Sequence, residues 1–130
     1  AGRHRGGLGI PRQIRATVDG IVFSVRSDGH VLGAPGLFGG HEGGTARLIR
    51  NHGTDRAEEL SSKTASIVLA AGETTRLETP GGGGLGDPAG RNPAALARDL
   101  RDGKISRAAA EREYGPGLVA RALGEASAAG

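Results

Sequence analysis

The residues with most obvious chemical potential are the glycines of GGGGLG, Gly81 to Gly86, which have the spacing G-x-G-x-x-G and follow a predicted strand. In a dinucleotide site such glycines open a helix whose N–H groups hold a pyrophosphate. Here Asp87-Pro88 and Gly90 intervene before helix signals begin at Pro93, so that reading fails. Neither lysine, Lys63 or Lys104, stands in a G-K-[ST] context, so a P-loop is absent too. Two readings of the run remain. Its glycines reverse the chain in a cramped place, or the successive N–H groups of the run, Gly81, Gly82, Gly83 and Gly84 among them, form an anion-binding nest or line the active site of an assembled enzyme. His4, His30, His41 and His52 are scattered over loops with no i, i+4 pair; His30, His41 and Glu42 make the one conceivable metal set. Ser27, Asp28 and His30 have the residue types of a hydrolytic triad, but no G-x-S-x-G elbow presents the serine.

Composition limits what can position these groups. Of 130 residues 25 are glycine, and Phe23, Phe38 and Tyr114 are the whole aromatic complement, so any core is thin or shared. The absence of cysteine excludes disulfides, thiolate catalysis and Cys-ligated metals within this chain. No apolar run approaches a membrane span and no secretory N-terminus is visible, so a cytoplasmic location without a membrane partner is expected. The chain opens on Ala1 and contains no methionine, which places its expected natural start upstream in a longer polypeptide. A net charge of +3 raises nucleic acid as a partner. The arginines, however, are interleaved with acids from Asp55 to Glu113 and lack an aromatic stacking platform, so no nucleic-acid partner is expected.

Along the chain, Gln13–Val18 and Ile21–Ser27 are β-branched segments flanking Asp19-Gly20, the pattern of a two-residue hairpin. Pro35 and repeated glycines then impose a loop over residues 28–44. Strand-like character resumes over Thr45–Arg50, Ala65–Ala70 and Thr74–Glu78. Nothing helical is expected from Pro80 to Pro88. Asn92-Pro93 is an N-cap followed by proline at the first helical position, with Leu96 and Leu100 one turn apart and Gly103 as the stop. Ser106 caps a second helix from Arg107 to Tyr114, ended by Gly115-Pro116-Gly117. Alanine-rich Leu118–Gly130 carries a weaker signal for a final helix. The expected fold class is α+β: a short-stranded, mainly antiparallel β layer followed by a C-terminal helical hairpin.

Several of these segments resemble, in order, the end of hydantoinase B subunits, a family related to 5-oxoprolinase and to acetone and acetophenone carboxylase subunits. They are GRHRGGLGIPRQI (2–14), VRSD (25–28), PGLFGG (35–40), LETPGGGGLGDP (77–88) and RDLRDGKISRAAAEREYG (98–115). The resemblance implies that residues 1–115 are the C-terminal segment of a B-type subunit, β-rich over 11–80, with a glycine-rich turn at 81–91 and helices over 92–115. Residues 116–130 are then an individual tail. It further implies an ATP-dependent hydrolase of a cyclic amide, of N-methylhydantoinase or 5-oxoprolinase type. Its partners would be the rest of the B-type subunit and an A-type ATP-binding subunit. A ketone carboxylase, or a non-catalytic assembly module, is the alternative. ATP and a divalent metal belong elsewhere in such a complex, with no cofactor on this chain, and the isolated chain is expected to be inactive. Arg3, Arg5, Arg26, Asp28, Gly81 to Gly84 and Asp87 are the candidate substrate-positioning or interface residues. Gly29-His30 stands where the family pattern leads one to expect an arginine after Ser27-Asp28.

Overall fold

The computed structural model describes residues 1–128, and the side chains of those up to 124. The chain forms two compact units whose segments interleave in sequence. A β unit comprises Gly9–Ala34 and Gly44–Gly81; a helical unit comprises Ala1–Leu8, Pro35–Gly43 and the chain from Gly82 onward. The α+β class stands, with a helical region richer than a hairpin.

The β unit contains strands β1 (Pro11–Arg15), β2 (Ile21–Arg26), β3 (Arg47–Arg50), β4 (Glu58–Glu59), β5 (Lys63–Leu69) and β6 (Thr74–Glu78). They form one antiparallel sheet in the order β1-β6-β3-β4 and an antiparallel pair β2-β5. This corrects the hairpin expected around Asp19-Gly20, because β1 and β2 do not pair with each other. β1 runs Pro11 to Arg15 against Glu78 to Thr74, and β2 runs Ile21 to Arg26 against Leu69 to Lys63. Gly20 does take the left-handed φ of 80° that the dipeptide favours. The bend it makes is spent elsewhere: the Ala71 N–H donates to Asp19 Oδ1 at 2.8 Å and the Gly20 N–H to Leu69 O at 3.1 Å. Ala16 and the Ala70–Glu73 turn exchange further bonds, Ala16 N–H to Glu73 O and Gly72 N–H to Ala16 O. The two connections therefore brace one another as the chain passes from one ladder to the next. An Asp-Gly pair fixes a local bend, whereas strand partners are chosen by long-range pairing.

Leu48, Ile49 and Leu69 with Ala16 and Ala46 form the buried apolar part of this unit, whereas β1 is exposed along its whole length. Asn51, held at a φ of 52°, is buried and polar, and its amide resolves that position. Its Oδ1 accepts the Thr74 N–H at 3.1 Å and its Nδ2 donates to Glu73 Oε1 at 3.0 Å. Glu73 also accepts from Arg50 and from the Ala70 N–H. Those three hydrogen bonds, with that of Arg50 first, pull its carboxyl down to about 2.

In the helical unit, three extended segments lie side by side with backbone in close contact. His4 and Leu85 exchange N–H···O bonds of 2.9 Å, Leu37 N–H donates to Gly84 O, and Gly86 N–H donates to Leu37 O. Glycine is required where these backbones touch: a Cβ on Gly84 would stand 1.7 Å from Ala1 O, and one on Gly40 would stand 2.1 Å from Gly84 O. Asp87 then caps a short 3-10 turn at Pro88–Gly90 by accepting the Ala89 N–H at 2.8 Å. Helical backbone thus does begin at Pro88, against the expectation from the Pro and Gly content. Proline at the first position has no N–H to satisfy, and the aspartate supplies the cap.

Helices α1 (Pro93–Arg101), α2 (Arg107–Tyr114) and α3 (Pro116–Ala128) follow. Asn92 caps α1 through the Ala95 N–H, and Ser106 caps α2 through the Ala109 N–H, as their sequence positions require. The weakly signalled final segment is a helix over its described residues, while Ala129 and Gly130 lie outside them. Leu96, Ala97, Ala110, Tyr114, Leu118, Val119 and Ala122 make one apolar cluster. The alanines let helix backbones approach, so few large side chains suffice. Fully burying Leu96 alone contributes roughly 1.5–3 kcal/mol.

Candidate functional site

Arginines gather at one place in the helical unit. Arg3 and Arg5 come from the first extended segment, Arg91 from the residue before the α1 cap, Arg98 from α1 and Arg121 from α3. With His4, Gly90 and residues 92–95 they line an open cleft of about 880 Å³, and no carboxylate among the described residues lines it.

One buried acid organises this cluster from behind. Asp99, on α1, accepts from Arg5 Nε at 3.0 Å and more weakly from Arg5 Nη2 at 3.4 Å, and it also accepts from Arg91 Nη2. Asp99 and Arg91 are both buried, with Arg5 a quarter exposed. Arg5 is further fixed by Nη1 donating to Gly6 O at 2.8 Å. The Arg91 guanidinium lies 5.4 Å from the centre of the Tyr114 ring, whose hydroxyl pKa is raised, chiefly by burial. The Arg91 Nε is buried without a hydrogen-bond partner. Two guanidinium groups sharing one carboxylate leave a positive excess. Arg3, Arg98 and Arg121 add to it, since no carboxylate pairs with them among the described residues. The Arg3 side chain lies along Gly86 and Gly90, where no side chain displaces it. Such an arrangement concentrates positive charge; among the described residues it contains no acid–base pair or nucleophile with the geometry for bond cleavage.

Arg3, Arg5, Gly82, Gly83, Gly84 and Asp87 thus belong to the helical unit, and Arg26, Asp28 and Gly81 to the β unit. The glycine run is engaged by carbonyls: Gly81 N–H donates to Gly44 O, Gly82 N–H to Gly7 O and Gly84 N–H to His41 O. These N–H groups are occupied, so the nest reading loses its donors at those positions. In the β unit Ser27 Oγ lies 2.6 Å from His30 Nε2, while Asp28 makes no hydrogen bond to that ring among the described residues. His41, in the helical unit, is bonded to Glu113 at 3.0 Å, and this bond is the first cause of that carboxyl lying below its usual range. No group of three or more potential metal ligands gathers among the described residues, so they do not fit a metal centre. No described helix is long and apolar enough to cross a membrane.

Sequence reasoning missed Arg91, Arg98, Asp99 and Arg121 as a group. Arg98 and Asp99 lie inside the motif 98–115, but only the fold brings them to Arg3 and Arg5, 94 positions away in the case of the Arg5–Asp99 bond.

Residues 1–88 match the family model described as hydantoinase B/oxoprolinase. The chain belongs to the hydantoinase B/oxoprolinase family. Within that family it is 37% identical over 115 residues to a protein of Pseudomonas sp. (strain NS671) named for the B-type component of a D-/L-hydantoinase, covering 88% of this chain and 19% of that one. The crystal structure of an ATP-dependent caprolactamase from Pseudomonas jessenii superposes with a TM-score of 0.71 at 25% identity, over 88% of this chain and 20% of that one. A nucleotide-free acetone carboxylase structure shares the fold, with a TM-score of 0.69 at 18% identity, over 99% of this chain and 23% of that one. The chain spans about a fifth or less of the length of the curated relatives it matches.

Proposed function

We propose that this chain is one segment of an ATP-dependent enzyme that opens a cyclic amide, acting with an ATP-binding A-type partner and the remainder of a B-type subunit. The observation that carries this reading is the likeness, in fold and in sequence, to an ATP-dependent caprolactamase. The chemistry explains why ATP is needed. An unactivated amide resists water, whereas phosphoryl transfer to its carbonyl oxygen gives an imidate-like phosphate. Water then adds at the carbonyl carbon, the C–N bond of the resulting intermediate breaks to free the amine and leave an acyl phosphate, and a second water cleaves that acyl phosphate to carboxylate and phosphate. This segment supplies wall, interface and positioning groups.

The test is to purify the full-length protein with its A-type partner and supply 5-oxoproline, a hydantoin or caprolactam together with ATP. ADP release in step with ring-opened product is expected for one of them. Carboxylation of a ketone in place of ring opening would overturn the reading in favour of the carboxylase relatives. If substitution of Arg3, Arg5, Arg26 or Asp28 abolishes assembly, with no separate effect on turnover, these residues are interface groups.

A further inference from the structure

We infer that the arginine cleft of the helical unit is a binding site for a phosphoryl-bearing anion, either free phosphate or the phosphate chain of a nucleotide. Four observations converge on it. Five arginines and, among the described residues, no carboxylate line it, and the one carboxylate behind them, Asp99, is shared by two of the five, which leaves an excess of positive charge. Asp99 stands outside the lining and pins Arg5 and Arg91 from behind, so two of the forks are held in place before any ligand arrives. Arg91, one of the lining residues, is 7% exposed and has its guanidinium stacked on the Tyr114 ring, so its position too is preset. The first turn of α1, Asn92 to Ala95, forms part of the same wall and adds the positive end of a nine-residue helix.

Ligand class follows from shape and polarity. Planar guanidinium forks match the oxygens of a phosphoryl group, and several directions of approach suit a tetrahedral anion better than a single planar carboxylate. Leu118 is the largest apolar side chain in the lining, so the cleft offers little to an apolar ligand. Its volume of about 880 Å³ accommodates either free phosphate with its water or a nucleotide's phosphate chain. The inference does not depend on which cyclic amide is opened, or on whether one is.

The experiment uses the full-length protein. Inorganic phosphate is titrated by calorimetry at constant ionic strength, with chloride as control, into the wild type and into Arg3→Ala and Arg98→Ala. Both side chains are exposed and lie outside the Asp99 pairing, so the fold should persist, checked by circular dichroism. Saturable phosphate binding is expected, weakened about tenfold or more by each substitution and partly restored by Arg98→Lys. Competition with ATP separates the sources. If ATP displaces phosphate and is itself weakened in the same variants, the ligand is a nucleotide's phosphate chain; if it does not, the ligand is the free anion. Absence of saturable phosphate binding, or binding unchanged in both variants, overturns the proposal. Loss of subunit assembly without any phosphate binding also overturns it, and makes the cleft a docking surface for an acidic protein segment.

Discussion

Replacing Asp99 by alanine should unfasten the helical unit. The carboxylate is the shared partner of Arg5 and Arg91, and both it and Arg91 are 7% exposed. Its removal leaves Arg91 buried without any carboxylate and with its Nε already unpartnered. Breaking a buried pair by removing one partner costs about 3–5 kcal/mol; the quarter exposure of Arg5, which lets water take over part of its charge, argues for about 3. Against a typical domain stability of about 5–15 kcal/mol that is a large fraction. Hydrogen exchange in the full-length protein reads it locally. Slow amides of α1 and α3 should exchange about a hundredfold faster in Asp99→Ala, while strands β3 and β6 stay protected. Asp102→Ala is the control: that carboxylate sits three residues on and is paired with Lys104 at the surface, so no comparable change should follow. Exchange in Asp99→Ala within a few-fold of wild type would refute the view that one buried acid holds the arginine cluster together.

Gly84→Ala should destabilise the helical unit by about 3 kcal/mol or more, measured by chemical denaturation, because its Cβ would meet the Ala1 backbone at 1.7 Å and neither backbone can yield without breaking bonds. Gly44→Ala, where a Cβ meets open space, should change stability by less than about 0.5 kcal/mol, and equal effects at the two sites would contradict the packing described. In the β unit, Glu73 has a folded-state pKa of about 2, below its ordinary value of 4.5. Its contribution is therefore fully present above about pH 4.5 and is lost as pH falls through about 2. A carboxyl-carbon NMR titration should show the low midpoint, and Glu73→Gln should flatten the pH dependence of stability in that window; a midpoint near 4.5 would be the contrary result.

What the sequence made legible was local. Asn92-Pro93 and Ser106 announced α1 and α2 because a cap is a short-range bond between a side chain and N–H groups two or three residues on. The β-branched runs likewise marked most strands. Partner choice was not legible: Asp19-Gly20 bends the chain as its residue types dictate, yet β1 pairs with β6 and β2 with β5, decided by contacts 37 to 67 residues away. Tyr114 and the alanines of the helical cluster explain why α3 was only faintly signalled, since small residues pack well without producing a broad apolar stripe. The family motifs were visible as words in order. The cleft was not, because Arg3, Arg5, Arg91, Arg98 and Arg121 occupy separate segments and only Asp99 ties two of them together. An arginine spread evenly through a sequence reads as solvated surface, and many here are that, paired as Arg47 is with Glu59 or Arg107 with Glu111.

The most direct test of the proposed function is to assay the full-length protein, assembled with its A-type partner, for ADP release coupled to opening of a five- or seven-membered cyclic amide. ADP and ring-opened product appearing together, with neither formed when ATP or the amide is omitted, is the predicted result. Ring opening that proceeds without ATP, or ATP turnover that yields only a carboxylated ketone, would contradict it.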